Sequence, residues 1–181
     1  MLKRAYVILL TTLALAGCGG DSPTAPSDPN VVVFTAQLSA SNETTAIVGG
    51  EQNARGDVRI TFNLTRDASN NVNGGSATFV VNLRDFPAGA TWTLAHIHRG
   101  AAGVAGGVVV NTGLTPPTTN IPLPNGTISN QTFADRTIGP AQGQPDVALI
   151  NDIISNPAGF YFNVHTQANG GGAVRGQLVK Q

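Results

Sequence analysis

The 181-residue sequence predicts an all-β fold, an antiparallel β-sandwich with one short helix near residues 146–155. Three observations point there. Apolar residues alternate with polar ones in short runs, turn-forming residues separate the runs, and the palette is rich in Gly, Thr, Asn and Val with only 11% charged residues. The length suits one domain with its own core, and no repeat of fixed period divides it.

The first strand places Val32, Phe34, Ala36 and Leu38 on one face and Val33, Thr35 and Gln37 on the other. Val58, Ile60, Phe62 and Leu64 then alternate with Arg59, Thr61, Asn63 and Thr65, as a half-buried strand requires. Asp67 to Gly75 is a turn rich in Asn and Gly. Its Asp67-x-Ser69-x-Asn71 spacing echoes a calcium loop, but no Gly holds the sixth position and no acid closes it, so a hairpin connection is expected. Ala77, Phe79, Val81 and Leu83 make the next core face. Further strands are expected at 91–98, 107–112, 127–133, 159–166 and 173–179. The predicted core is Phe34, Val58, Ile60, Phe62, Phe79, Leu83, Phe162 and Val164, with Trp92 as a core tryptophan on the strand face of His96 and His98. Between Asp146 and Ser155 the period changes: Val147, Ile150 and Ile154 fall at helical spacing. Asp146 is the expected N-cap, and Asn156-Pro157 stops the run.

The amino-terminal segment reads differently. Met1-Leu2-Lys3-Arg4 is basic, and Ala5 to Leu15 is an apolar stretch too short to cross a bilayer as a mature helix. Leu15-Ala16-Gly17-Cys18 follows and resembles the bacterial lipobox. The resemblance implies a signal peptide over residues 1–17, cleavage before Cys18 and a lipid on that cysteine. Gly19, where Asp would retain a lipoprotein at the inner membrane, implies the outer membrane in a two-membrane host. Residues 18–30 hold three prolines and no aromatic residue, as a tether would, and the domain is expected over 31–181. Without residues 1–17 the chain keeps eight basic against ten acidic residues, a net charge of −2, which carries no electrostatic footprint for nucleic acid. Cys18 is the only cysteine, so no intrachain disulfide can form.

Three histidines carry the remaining chemistry. His96 and His98 lie two apart on one strand face, with Cα atoms about 6.5–7 Å apart. His165 shares a face with Tyr161 and Asn163, opposite Phe160, Phe162 and Val164. Three neutral imidazoles suit Zn²⁺ or copper, and such binding would weaken as pH falls through about 6.5. The same histidines could instead hydrogen-bond carbonyls of the loop around Gly100, Gly103, Gly106 and Gly107. Arg175 either pairs with an acid such as Asp85 or Asp57, or, like Asn163, orients the histidine cluster from behind. The sequence has no nucleophile elbow, phosphate loop or dinucleotide fingerprint.

Those residues also resemble a known family. Ala95-His96-Ile97-His98-Arg99-Gly100 is similar to the AHIHxG block of the chordin-repeat (CHRD) family. Tyr161-Phe162-Asn163-Val164-His165-Thr166 with Val174-Arg175-Gly176-Gln177-Leu178 is similar to its closing YxNxHT…GxxRGQL block, and Phe34 to Glu43 to its FxAxLSGxNE start. Thr44-Thr45 stand where the family pattern carries a proline pair, so the resemblance does not extend to that loop. The strand pattern leads us to expect a Greek-key sandwich of immunoglobulin or Cu/Zn-superoxide-dismutase type, and the resemblance implies, for bacterial members, an exported β domain. The His-Ile-His strand is itself similar to the copper-binding strand of those dismutases, which use more histidines than the three present here. The expected function is therefore an exported, lipid-anchored envelope or binding module without catalysis, taking a protein or polysaccharide partner. The alternative is a copper- or zinc-binding protein using His96, His98 and His165. A metal-activated water for hydrolysis is a third reading.

Overall fold

Alternation becomes pairing most plainly where the two longest strands meet. In a computed structural model, which describes residues 28–138 and 146–181, the strands are β1 (Val31–Ser39), β2 (Arg55–Arg66), β3 (Val72–Arg84), β4 (Ala90–Arg99), β5 (Val108–Asn111), β6 (Ile121–Leu123), β7 (Ile128–Thr137), β8 (Phe160–Thr166), β9 (Val174–Gln177) and β10 (Val179–Lys180). One helix, α1 (Val147–Ser155), precedes β8. The signal segment, Cys18 and the tether up to residue 27 lie outside the described residues. Asp28 to Asn30 already belong to the domain's bonding: the Asn30 and Pro29 carbonyls accept from Leu64 N and Arg66 Nη2.

β2 and β3 form the expected hairpin. Asp67 closes it by accepting from the backbone N–H groups of Ser69 and Asn71 and from the Asn71 side chain. All strands join one antiparallel sheet in the order β5-β4-β8-β9-β1-β2-β3-β7, with β10 added to β1 and β6 to β4. The sheet folds over on itself. Phe79 of β3 meets Phe162 of β8 with ring centroids 5.7 Å apart, and Trp92 of β4 meets Phe133 of β7 edge-on at 5.5 Å. The result is the sandwich-like all-β fold expected, with all eight predicted core residues buried. Gly176 permits the closure between β9 and β1, since a Cβ there would lie 2.1 Å from the Gln37 carbonyl oxygen.

Three details differ from the sequence expectation. β6 is a three-residue strand containing Pro122, too short and too proline-interrupted to show alternation. And Trp92 does not share the histidine face. The ladder with β8 passes from Trp92↔Thr166 to Leu94↔His165, so one extra residue bulges out and reverses the facing. Trp92 thereby enters the core with Ala95 and Ile97, donating Nε1–H to the Leu94 carbonyl at 2.9 Å. In α1 the Asp146 carboxylate caps Leu149 N as expected, but the buried stripe is Leu149, Ile150 and Ile153 rather than one through Val147 and Ile154. Ile150 lies over Gly75 of β3, which sets that rotation.

Candidate metal centre

Every residue of β8 is buried, although only Phe160, Phe162 and Val164 belong to the apolar core cluster. The opposite face is covered by segments 40–51, 100–107 and 167–172, which are held down by polar side chains. Thr166 and Asn169 both donate to the Glu51 carboxylate at 2.7 Å, and Asn169 also spans the Val48 amide and carbonyl. Gln177 Nε2 donates to the Gly100, Ala158 and Phe160 carbonyls. Buried polar groups are kept only when bonded, and these loops supply the bonds.

Within this layer the ladder sets His96 across from Asn163 and His98 across from Tyr161, while His165 lies two residues further along β8. The three rings converge. Centroids are 5.5 Å apart for His96 and His98, 5.1 Å for His96 and His165, and 5.9 Å for His98 and His165. One nitrogen from each ring lies within 4.8 Å of the others, and His96 Nδ1 is 3.3 Å from His165 Nε2.

The loop-carbonyl bonds considered from sequence exist alongside this convergence. His98 Nδ1 meets the Gly106 carbonyl at 2.9 Å, and His165 Nδ1 meets the Gly170 carbonyl at 3.0 Å. A carbonyl only accepts, so both Nδ1 atoms carry the hydrogen and both Nε2 atoms carry the lone pair. At His165 that lone pair is shared with His96. At His98, Nε2 is buried and has no hydrogen-bond partner among the described residues.

Burial lowers all three imidazole pKa values. For His96 desolvation, with the neighbouring His165 and His98 rings adding to it, brings the value from 6.5 to about 4. His98 and His165 shift the same way, desolvation outweighing the carbonyl bonds that oppose it. The rings are thus neutral near pH 7, and proton competition for a ligand nitrogen is displaced below the free-imidazole value near 6.5 that the sequence suggests.

Asn163 and Arg175 occupy the layer but hydrogen-bond none of the three imidazoles among the described residues. Asn163 Nδ2 donates to Glu43 at 3.2 Å, and its Oδ1 is buried without a partner among the described residues. Arg175 pairs with neither Asp57 nor Asp85. Asp57 faces Arg84 at 3.5 Å on another part of the sheet, and Arg175 instead lies over the Tyr161 ring, 3.5 Å from its centroid. Tyr161 in turn stacks on His98 with planes 6° apart, so the guanidinium reaches the cluster only through that ring. Glu43 and Glu51 escaped sequence reasoning because more than a hundred residues separate them from β8. Glu43 sits in the family's opening motif, the one signal that marks it. Burial raises its carboxyl to about 7 against the lowering effects of Arg175 and Asn163.

No curated protein and no solved structure matches the chain. The family model described as the CHRD domain matches residues 34–178, which takes in the opening Phe34 block, both histidine-bearing strands and the closing Arg175-Gly176-Gln177-Leu178. The chain belongs to the CHRD domain family.

Proposed function

We propose that this CHRD domain is a non-catalytic module exported to the bacterial envelope and held there by a lipid on Cys18, and that it binds one zinc or copper ion through His96, His98 and His165. Family membership supports the module reading, and the basic, apolar and Leu-Ala-Gly-Cys segments support the anchor. The observation that carries the metal reading is His98 Nε2, a buried lone pair with no hydrogen-bond partner among the described residues, on a ring that converges with two other neutral imidazoles. An orphaned buried acceptor costs about 1–3 kcal/mol, which a coordinated ion would recover. The His96–His165 separation of 3.3 Å is close to that of two nitrogens on one ion at bond lengths of about 2.0–2.1 Å. In the metal-free protein a hydrogen lies between those two nitrogens. A cation would replace it, with His96 carrying its hydrogen on Nε2 instead. The Gly106 and Gly170 carbonyls would orient His98 and His165, as ligand imidazoles require.

Elemental analysis of the chain purified without a polyhistidine tag tests the metal reading: close to one zinc or copper per chain is expected, and a metal content no higher in the parent than in His98→Ala contradicts it. Membrane fractionation tests the anchor separately. Cys18→Ala is expected to stay folded and move to the soluble fraction, and a variant that sediments with membranes like its parent refutes the lipid.

A further inference from the structure

A cleft of about 480 Å³ opens in the outer layer, walled by Glu43, Ala102, Gly103, Arg175, Gly176 and Gln177. Its main charge is unusual. Arg175 is only 2% exposed, yet among the described residues no carboxylate lies within 4.0 Å of its guanidinium. All its side-chain hydrogen bonds leave from Nη2, to the Ala101 and Val104 carbonyls at 3.1 Å and to Gln177 Oε1 at 3.4 Å. Nε and Nη1 have no protein acceptor among the described residues. The guanidinium is thus tied to the protein through Nη2 and the Tyr161 ring.

We propose that the cleft binds a small oxyanion, a carboxylate or phosphate group, on the Arg175 guanidinium. A buried charge is costly unless paired, and guanidinium is the side chain best matched to oxyanions. The group is also held in advance: Tyr161 supports one face and two loop carbonyls fix Nη2, so binding orders little that is not already ordered. The volume lies in the range of small-ligand clefts. Glu43 is the acid in the wall, and its burial-raised carboxyl carries reduced charge near neutrality and opposes an incoming anion only in part. The site is distinct from the histidine cluster, since Tyr161 lies between Arg175 and His98.

The test uses the full chain carrying Cys18→Ala, titrated at constant ionic strength with sodium acetate and, separately, with inorganic phosphate, while the arginine Nε–H resonances are followed by NMR. One Nε–H signal, absent from Arg175→Lys, is expected to shift saturably, and the anion that saturates it identifies the class. Ala102→Trp, an exposed loop position that narrows the cleft, is expected to weaken binding at least tenfold, and Glu43→Gln to tighten it. The same titration with 1,10-phenanthroline present is expected to give the same affinity, which separates this site from the metal reading. Two results would overturn the proposal: no saturation by either anion up to tens of millimolar, or affinity unchanged in Ala102→Trp. The second variant keeps the test decisive if Arg175→Lys does not fold.

Discussion

From β8, Phe160, Phe162 and Val164 point into a closed interior of apolar side chains, while Tyr161, Asn163 and His165 point from the same strand into a layer roofed by loops. Both faces are buried, but by different means. The inner face needs only complementary shape, because the hydrophobic effect has no direction. The outer face needs a partner for each donor and acceptor, and it receives them from segments distant in the chain. Where a buried atom lacks a partner among the described residues, as at His98 Nε2 and Asn163 Oδ1, the layer has capacity for a ligand. The contrast separates residues that hold the fold from residues with chemistry to spare.

The inner face should show the largest effect of mutation. Phe62 is fully buried and meets Phe34 edge-on at 5.0 Å. Phe62→Ala is expected to lower unfolding free energy by about 3–5 kcal/mol in urea denaturation. A loss under about 1 kcal/mol would mean that the two faces do not differ in this way.

That face was legible in the sequence because period-2 alternation reports facing directly. It placed Phe34, Ile60, Phe62, Phe79 and Phe162 without knowledge of their partners. The rule failed at Trp92, where one bulged residue reversed the parity that alternation assumes. The histidine face was legible in part: spacing put His96 with His98 and set His165 on the polar side of β8. What alternation cannot report is the roof. Asn163 meets Glu43 and Thr166 meets Glu51 across more than a hundred residues, and no local pattern encodes such contacts. The same limit misdirected Arg175, whose surroundings are loop carbonyls and a tyrosine ring rather than an acid on a neighbouring strand.

The outer layer should respond less, and through single polar groups. Glu51 accepts from both Thr166 and Asn169, so Glu51→Ala strands two buried donors and is expected to cost about 1–3 kcal/mol by the same denaturation. A neutral result would show that water replaces the carboxylate and that the layer is wetter than its burial implies.

A smaller effect should appear in the pH dependence of stability, where two groups of the layer oppose each other. His96 resists protonation in the folded chain down to about 4, whereas the unfolded chain takes the proton near 6.5; the fold therefore loses stability through His96 as pH falls across that interval. Glu43 holds its proton up to about 7 when folded but only to about 4.5 when unfolded, so through Glu43 the fold loses stability as pH rises across its interval. Between 4.5 and 6.5 the slopes act against each other. Glu43→Gln removes one of them, and the variant's stability is expected to climb more steeply with pH there than the parent's. Parallel curves would contradict the burial assigned to Glu43.

Calorimetric titration of the metal-free, untagged chain with Zn²⁺ and Cu²⁺ at pH 7 tests most directly the proposal that His96, His98 and His165 hold one metal ion. One ion per chain is predicted, with binding abolished in His98→Ala while that variant still unfolds cooperatively in urea. Absence of saturable binding, or binding that persists unchanged in a folded His98→Ala, would contradict the claim and leave the three converging rings as packing.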